Sequence, residues 1–110
     1  MFISDRSKDS QFIKWSADVK TKCNYQCQIC GKHGVDLNSH HKNSWDIYPE
    51  LRYDLDNGVA LCVPCHKRFH DQYGFGKNTE FQYMEYQLIS KIFMDNIMQK
   101  VSSEKTPDKK

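Results

Sequence analysis

Two Cys-x-x-Cys pairs, Cys27-Gln-Ile-Cys30 and Cys62-Val-Pro-Cys65, constrain this chain more than any other feature. Each pair puts two sulfurs on one turn, within reach of a single tetrahedral ion at ~2.3 Å, and two pairs complete a four-thiolate set. Residues 31–61 separate the pairs, too long a span for a compact ribbon, so this insert must fold while its ends are clamped together. At 110 residues the chain is one domain. That is near the size where a hydrophobic core alone gives modest stability and a structural metal helps. Five cysteines is an odd number, and paired Cys-x-x-Cys turns make poor disulfide frameworks, which points to a reducing, cytoplasmic setting. Cys23 stands outside both pairs as a spare thiol, although an exchange of Cys23 for Cys27 in the ligand set stays open.

The histidines add a second constellation. His40 and His41 are adjacent, and His66 and His70 follow the second cysteine pair. His66 and His70 lie one helical turn apart and share a face. On an extended segment His40 and His41 point to opposite sides, so one suits a metal ligand and the other a general base, imidazole titrating near neutral pH. Two metal-binding constellations exceed what folding requires: one holds structure and the other is available for chemistry.

Charge and hydropathy set outer limits. Net charge is +2, which permits nucleic-acid binding without demanding it. Charged residues make up 27% and mean hydropathy is −0.80. No apolar run approaches the roughly 20 residues that cross a bilayer, and the N-terminal residues lack the layout of a secretory signal.

Local patterns place the two constellations on elements. Residues 1–8 read as a loose polar arm. Ser10 caps a first helix reaching about Lys22, with Phe12, Trp15, Ala17 and Val19 as its apolar stripe. Val35, Leu37 and Ser39 alternate into a short strand that carries His40 and His41. Residues 42–57 form a polar and aromatic connection, of a length that is functional or packed by its own rings. Asp56-Asn57-Gly58 reads as a turn before a second strand, Val59-Ala60-Leu61, and Pro64 opens the helix bearing His66 and His70. Thr79-Glu-Phe-Gln82 has the form of a capping box. The helix it starts carries two apolar lines, Phe81, Met84, Leu88, Ile92 and Ile89, Phe93, Ile97, Val101. Residues 102–110 read as a disordered tail. Folding of this last helix back over the first would cover both apolar faces, which favours a monomer over a homodimer.

Taken together, His40-His41, Asn57 before a short apolar strand, and His66 after the second cysteine pair resemble the HNH endonuclease motif in its cysteine-bearing form. The resemblance spans roughly residues 19–74. It implies an α+β fold with a small ββα-metal core, here with a four-cysteine structural zinc (Cys27, Cys30, Cys62, Cys65) and flanking helices. The nuclease domain then occupies residues 9–101, with its C-terminal helix over 79–101. A narrower similarity, carried by Tyr48-Pro-Glu-Leu-Arg-Tyr-Asp54, Asn57-Gly58 and Tyr73-Gly74, is to small HNH proteins of tailed bacteriophages.

Carried over position by position, the resemblance makes His41 the general base and Asn57 the brace of the loop that aims it. His40 and His66 become ligands of one catalytic divalent cation, with His70 a further ligand or, alternatively, a phosphate contact. Histidine in place of the aspartate common among relatives admits Zn²⁺, Ni²⁺ or Mn²⁺ beside Mg²⁺. Arg52, Lys42 and Lys67 are candidate DNA contacts, and Lys42 stands where relatives carry an apolar residue. The implied activity is phosphodiester hydrolysis in double-stranded DNA, with one strand nicked per visit. The alternatives are an accessory role beside a phage terminase in DNA packaging and a zinc-stabilised nucleic-acid-binding module without activity.

Overall fold

The computed structural model describes residues 6–108, with side chains described to Asn96. Residues 1–5 of the expected arm and 109–110 of the expected tail lie outside the described residues. The element order is a 3-10 turn at Arg6–Lys8, helix α1 (Ser10–Lys22), strand β1 (Leu37–His41), 3-10 turns at Pro49–Leu51 and Leu55–Asn57, strand β2 (Gly58–Cys62), helix α2 (Val63–Tyr73) and helix α3 (Glu80–Asp108).

Helix α1 begins one residue earlier than Ser10 suggested as its cap. The Asp9 carboxylate accepts from Gln11 N and Phe12 N at 2.9 and 3.2 Å, the ordinary geometry of an N-cap. Trp15 and Val19 turn inward from its middle and are buried, whereas Ile13 stays half exposed.

Strands β1 and β2 pair antiparallel, with Leu37 opposite Cys62, His40 opposite Val59 and His41 opposite Gly58. Every residue of β2 is buried. Leu61 and Phe69 are fully enclosed and belong to the core cluster with Tyr83 and Tyr86 of α3. The sheet therefore has α1 on one side and α2 on the other, and β1, β2 and α2 form the ββα unit.

Gly58 explains how α1 lies so close. Its backbone is extended, φ −114°, so no turn demands a glycine. A methyl group there would strike Val19 Cγ2 and come within 2.6 Å of Trp15 Cζ2. The turn read at Asp56-Asn57-Gly58 is present as the 3-10 turn Leu55–Asn57, closed by Gly58 N on Leu55 O, but Gly58 itself is needed because a helix presses onto the strand it starts.

Helix α2 starts with Pro64 in its first turn and stops at Gly74, whose positive φ of 84° suits a residue without a side chain. Helix α3 has the reciprocal cap read from Thr79 and Gln82: Thr79 N donates to Gln82 Oε1 at 3.1 Å and Gln82 N to Thr79 Oγ1 at 3.3 Å. Two expectations for this helix are revised. Its backbone continues past Val101 to Asp108, so the tail is helical to that point. It also does not fold back over α1. Trp15 and Val19 find their cover at Gly58 and His41, while Phe81, Leu88 and Phe93 remain 81%, 59% and 62% exposed. Tyr83 and Tyr86 supply the packing face, because they lie nearest to β2 and α2.

Candidate active site

The four cysteines of the paired turns meet as the spacing requires. Cys27, Cys30, Cys62 and Cys65 bring their sulfurs within 4.8 Å of one another, with Cys30 and Cys62 Sγ 3.7 Å apart. The first turn is a knuckle: Ile29 N and Cys30 N both point at Cys27 Sγ, at 3.4 and 3.5 Å, and Gly31 takes the positive φ of 79° that closes it. Burial opposes ionisation of Cys27, but N–H donors from Cys30, Cys62 and Ile29 outweigh it and draw the thiol down to about 7. Burial pushes Cys65 and Cys30 up. Four crowded sulfurs, of which Cys27 ionises readily while Cys30 and Cys65 resist, fit a cation that would neutralise them together. Arg68 Nη2 donates to Cys65 Sγ at 3.2 Å, an outer contact that orients the sulfur. Cys23 lies in the core cluster and outside this group, which resolves its place as a buried thiol.

On the far side of β2 from α1, three histidines form a second group. His40, His66 and His70 each offer a ring nitrogen, and these lie within 4.8 Å of one another. His40 is 3% exposed and its Nε2 is buried without a hydrogen-bond partner. An orphaned buried nitrogen is costly, and a metal ion would satisfy it. His70 Nδ1 sits 2.9 Å from Gly74 O, which fixes its proton there and leaves Nε2 free. Nε2 of His70 in turn lies 3.0 Å from Nε2 of His66. Asn38 Nδ2 lies 3.1 Å from His66 Nδ1. Turned by half a rotation, the same amide presents its oxygen, accepts from Nδ1–H and frees His66 Nε2 for an ion. Burial pushes His66 down to about 4, assisted by the neighbouring His70, and it pushes His40 lower still, assisted by His66 and His70. All this favours the neutral imidazoles that metals take.

His41 points the other way, as alternation along a strand dictates. Its ring stacks on Trp15 with centroids 3.9 Å apart and planes 11° from parallel, and Trp45 meets it edge-on at 5.6 Å. Nε2 of His41 lies 2.8 Å from Arg52 O, where its hydrogen is donated. Burial pushes the ring down to about 4, with the charges of Arg6 and Arg52 acting in the same direction against the bond to Arg52 O.

Asn57 organises the loop that supplies that carbonyl. Its Nδ2 donates to Asn43 O and Leu51 O at 2.9 and 3.1 Å, and its Oδ1 accepts from Asn43 N at 2.9 Å. The side chain is buried and spans both ends of the 42–57 connection, directly before Arg52.

These groups meet at one cleft of about 470 Å³, bordered by His40, His41, His66 and His70 together with Arg6, Trp45, Asp46 and Phe75. The sequence-derived DNA contacts do not border it. Arg52 Nε donates to Trp45 O at 2.8 Å and its guanidinium stacks 4.7 Å from the Trp45 ring centre. Lys42 pairs with Glu80 at 3.5 Å, and Lys67 pairs with Asp71 one turn along an exposed face of α2.

Two residues at the site were not singled out in the sequence. Arg6 fell in a stretch read as a loose arm, and one arginine carries no pattern. Asn38 was merely a polar position in the first strand. Its place beside His66 follows from pairing with β2 and from the start of α2, neither of which a local motif records.

A comparison with protein families matches residues 27–72 to the HNH endonucleases. No curated protein and no solved structure matches.

Proposed function

We propose that the protein, whose residues 27–72 match the HNH endonuclease family, is a metal-dependent DNA endonuclease in which His41 is the general base. The observation that carries the reading is the division of labour on β1. His41 is locked by Arg52 O and Trp15 on one side, while His40 joins His66 and His70 on the other, and both sets border one cleft.

The chemistry follows from the hydrogen bonds. With Nε2–H committed to Arg52 O, Nδ1 of His41 is the nitrogen without a proton. It takes a proton from a water whose oxygen attacks phosphorus as the bond from phosphorus to the 3′ oxygen breaks. Removing a proton in this way contributes typically 10²–10⁴-fold. The ring's low affinity for protons keeps it in the basic form at neutral pH. Stacking on Trp15 prevents rotation, so the base keeps its aim.

His40, His66 and His70 would hold the catalytic divalent ion, which when bound supplies positive charge to the transferring phosphoryl group and the leaving oxygen. An all-nitrogen set suits Zn²⁺ or Ni²⁺ better than Mn²⁺ or Mg²⁺, which prefer oxygen ligands and would rely more on water and phosphate oxygens. The four cysteines suit a separate structural Zn²⁺. One base and one ion serve one strand, so duplex DNA is nicked.

The test is incubation of the pure protein with supercoiled plasmid across Mg²⁺, Mn²⁺, Ni²⁺ and Zn²⁺. Conversion to open circle that EDTA abolishes is expected. Binding without cleavage in every ion would instead support the zinc-stabilised binding module.

A further inference from the structure

The cleft contains one cation that the reaction scheme above leaves unused. Arg6 borders it alongside His41. Its guanidinium lies 4.4 Å above the centre of the Trp45 ring and 5.8 Å from that of Phe12. Among the described residues Arg6 forms no ion pair, and its Nε is buried without a hydrogen-bond partner. The nearby Asp46 is occupied elsewhere, by the Ser44 hydroxyl and by Lys77 N.

An unpaired, half-buried guanidinium is an expensive arrangement unless something anionic completes it. Its mount explains why it persists. Trp45 supplies a face to which a planar cation binds, and it is itself held, its backbone carbonyl accepting from Arg52 Nε and its ring meeting Tyr53 edge-on at 5.8 Å. The fork of a guanidinium matches two oxygens of one phosphate, which an ammonium does not.

We propose that Arg6 is the phosphate-gripping residue of this cleft, held on Trp45 so that its guanidinium N–H groups meet the non-bridging oxygens of the phosphodiester presented to His41. The contact expected at Arg52 from the sequence thus moves to Arg6, while Arg52 serves as a support for Trp45 and, through its carbonyl, for His41. This inference rests on the nuclease reading for its substrate. It adds which residue recognises the phosphate.

The test uses the full chain, loaded with the ion that supports wild-type nicking, in three forms: wild type, Arg6→Ala and Arg6→Lys. Arg6→Ala should lose on the order of tenfold to a hundredfold in kcat/KM, the size expected for a charge-assisted contact. Arg6→Lys should recover part of that, because charge returns without the fork. A second readout is the affinity of each form, in a His41→Ala background that does not consume the DNA, for a short duplex over a salt series. Losing one phosphate contact should flatten the slope of log Kd against log salt by about 0.9 for Arg6→Ala and leave it unchanged for Arg6→Lys. Unaltered kcat/KM and slope in a folded Arg6→Ala protein would overturn the assignment. Absence of nicking by the wild type in every ion would overturn the nuclease reading instead, and the salt slopes would still decide whether Arg6 contacts phosphate. Were Arg6→Ala not to fold, an Arg6→Lys protein with wild-type kcat/KM would count against a bidentate grip.

Discussion

Replacing Gly58 by alanine separates two explanations of that glycine by the sign of the effect. Were Gly58 needed only as a flexible turn residue, its φ of −114° would accept alanine without strain. The substitution would then stabilise by about 0.4–1 kcal/mol, by restricting the unfolded chain. The packing predicts the opposite. The new methyl carbon would lie 2.6 Å from Trp15 Cζ2, whereas carbon atoms rest at about 3.5–4.0 Å, so α1 must retreat by roughly 1 Å. Overpacking of this kind costs about 1–3 kcal/mol. The retreat also strains the bond from Trp15 Nε1 to Asp54 O, now 2.8 Å, which adds about 1 kcal/mol if lost. A net loss of about 2–3 kcal/mol should lower the melting temperature by on the order of 10 °C in a domain of this size. Thermal denaturation followed by circular dichroism, at fixed zinc concentration, measures it. Because Trp15 is also the stacking partner of His41, nicking should fall at temperatures where the variant is still fully folded. An unchanged or raised melting temperature would refute the close-packing account.

Three further outcomes are expected. Asn38→Ala should weaken metal binding at the three-histidine site by roughly 10–100-fold, the usual cost of losing an outer hydrogen bond to a ligand. Isothermal titration should detect this while the metal at the four cysteines stays in place. Cys62→Ser should remove the clamp between knuckle and α2 and destabilise the whole domain, since binding at such a site is coupled to folding. Elemental analysis of EDTA-dialysed, folded wild type should find one zinc per chain, and folded protein without zinc would contradict this. In the pH profile, His41 and His66 are both held down to about 4 against an ordinary 6.5, chiefly by burial. Between these values the unfolded chain binds more protons than the folded one, so stability is full above about pH 6.5 and is lost as pH falls towards 4. His41 alone contributes about 3 kcal/mol to that loss. Nicking should accordingly stay level down to about pH 5, and an acid limb centred at 6.5 would show an ordinary, exposed base.

The elements around the two candidate metal sites were legible in the sequence because their signals are local. Cys27-x-x-Cys30, the proline at 64 and the Thr79–Gln82 box each specify a turn or a helix start within four residues. Alternation along β1 likewise placed His40 and His41 on opposite faces, which follows from strand geometry alone. What stayed hidden depends on contacts between distant segments. Gly58 looks like an ordinary turn glycine until α1 is seen pressed against it. Arg52 looks like a free surface cation until Trp45 folds beneath it. Arg6 gains significance only because Asp9 caps α1 and so places the preceding turn over Trp45. The second apolar line of α3 misled for a related reason: it suggested cover for α1, yet Trp15 and Val19 had already been covered by the sheet and by His41.

The account stands or falls on His41, whose role is best measured in a His41→Ala protein assayed for plasmid nicking and for metal content in the same preparation. The expectation is an unchanged complement of metal at the four cysteines and at His40, His66 and His70, with nicking reduced at least a hundredfold. Nicking at the wild-type rate by folded, metal-loaded His41→Ala would contradict the assignment of the base, and with it the division of labour between the two faces of β1.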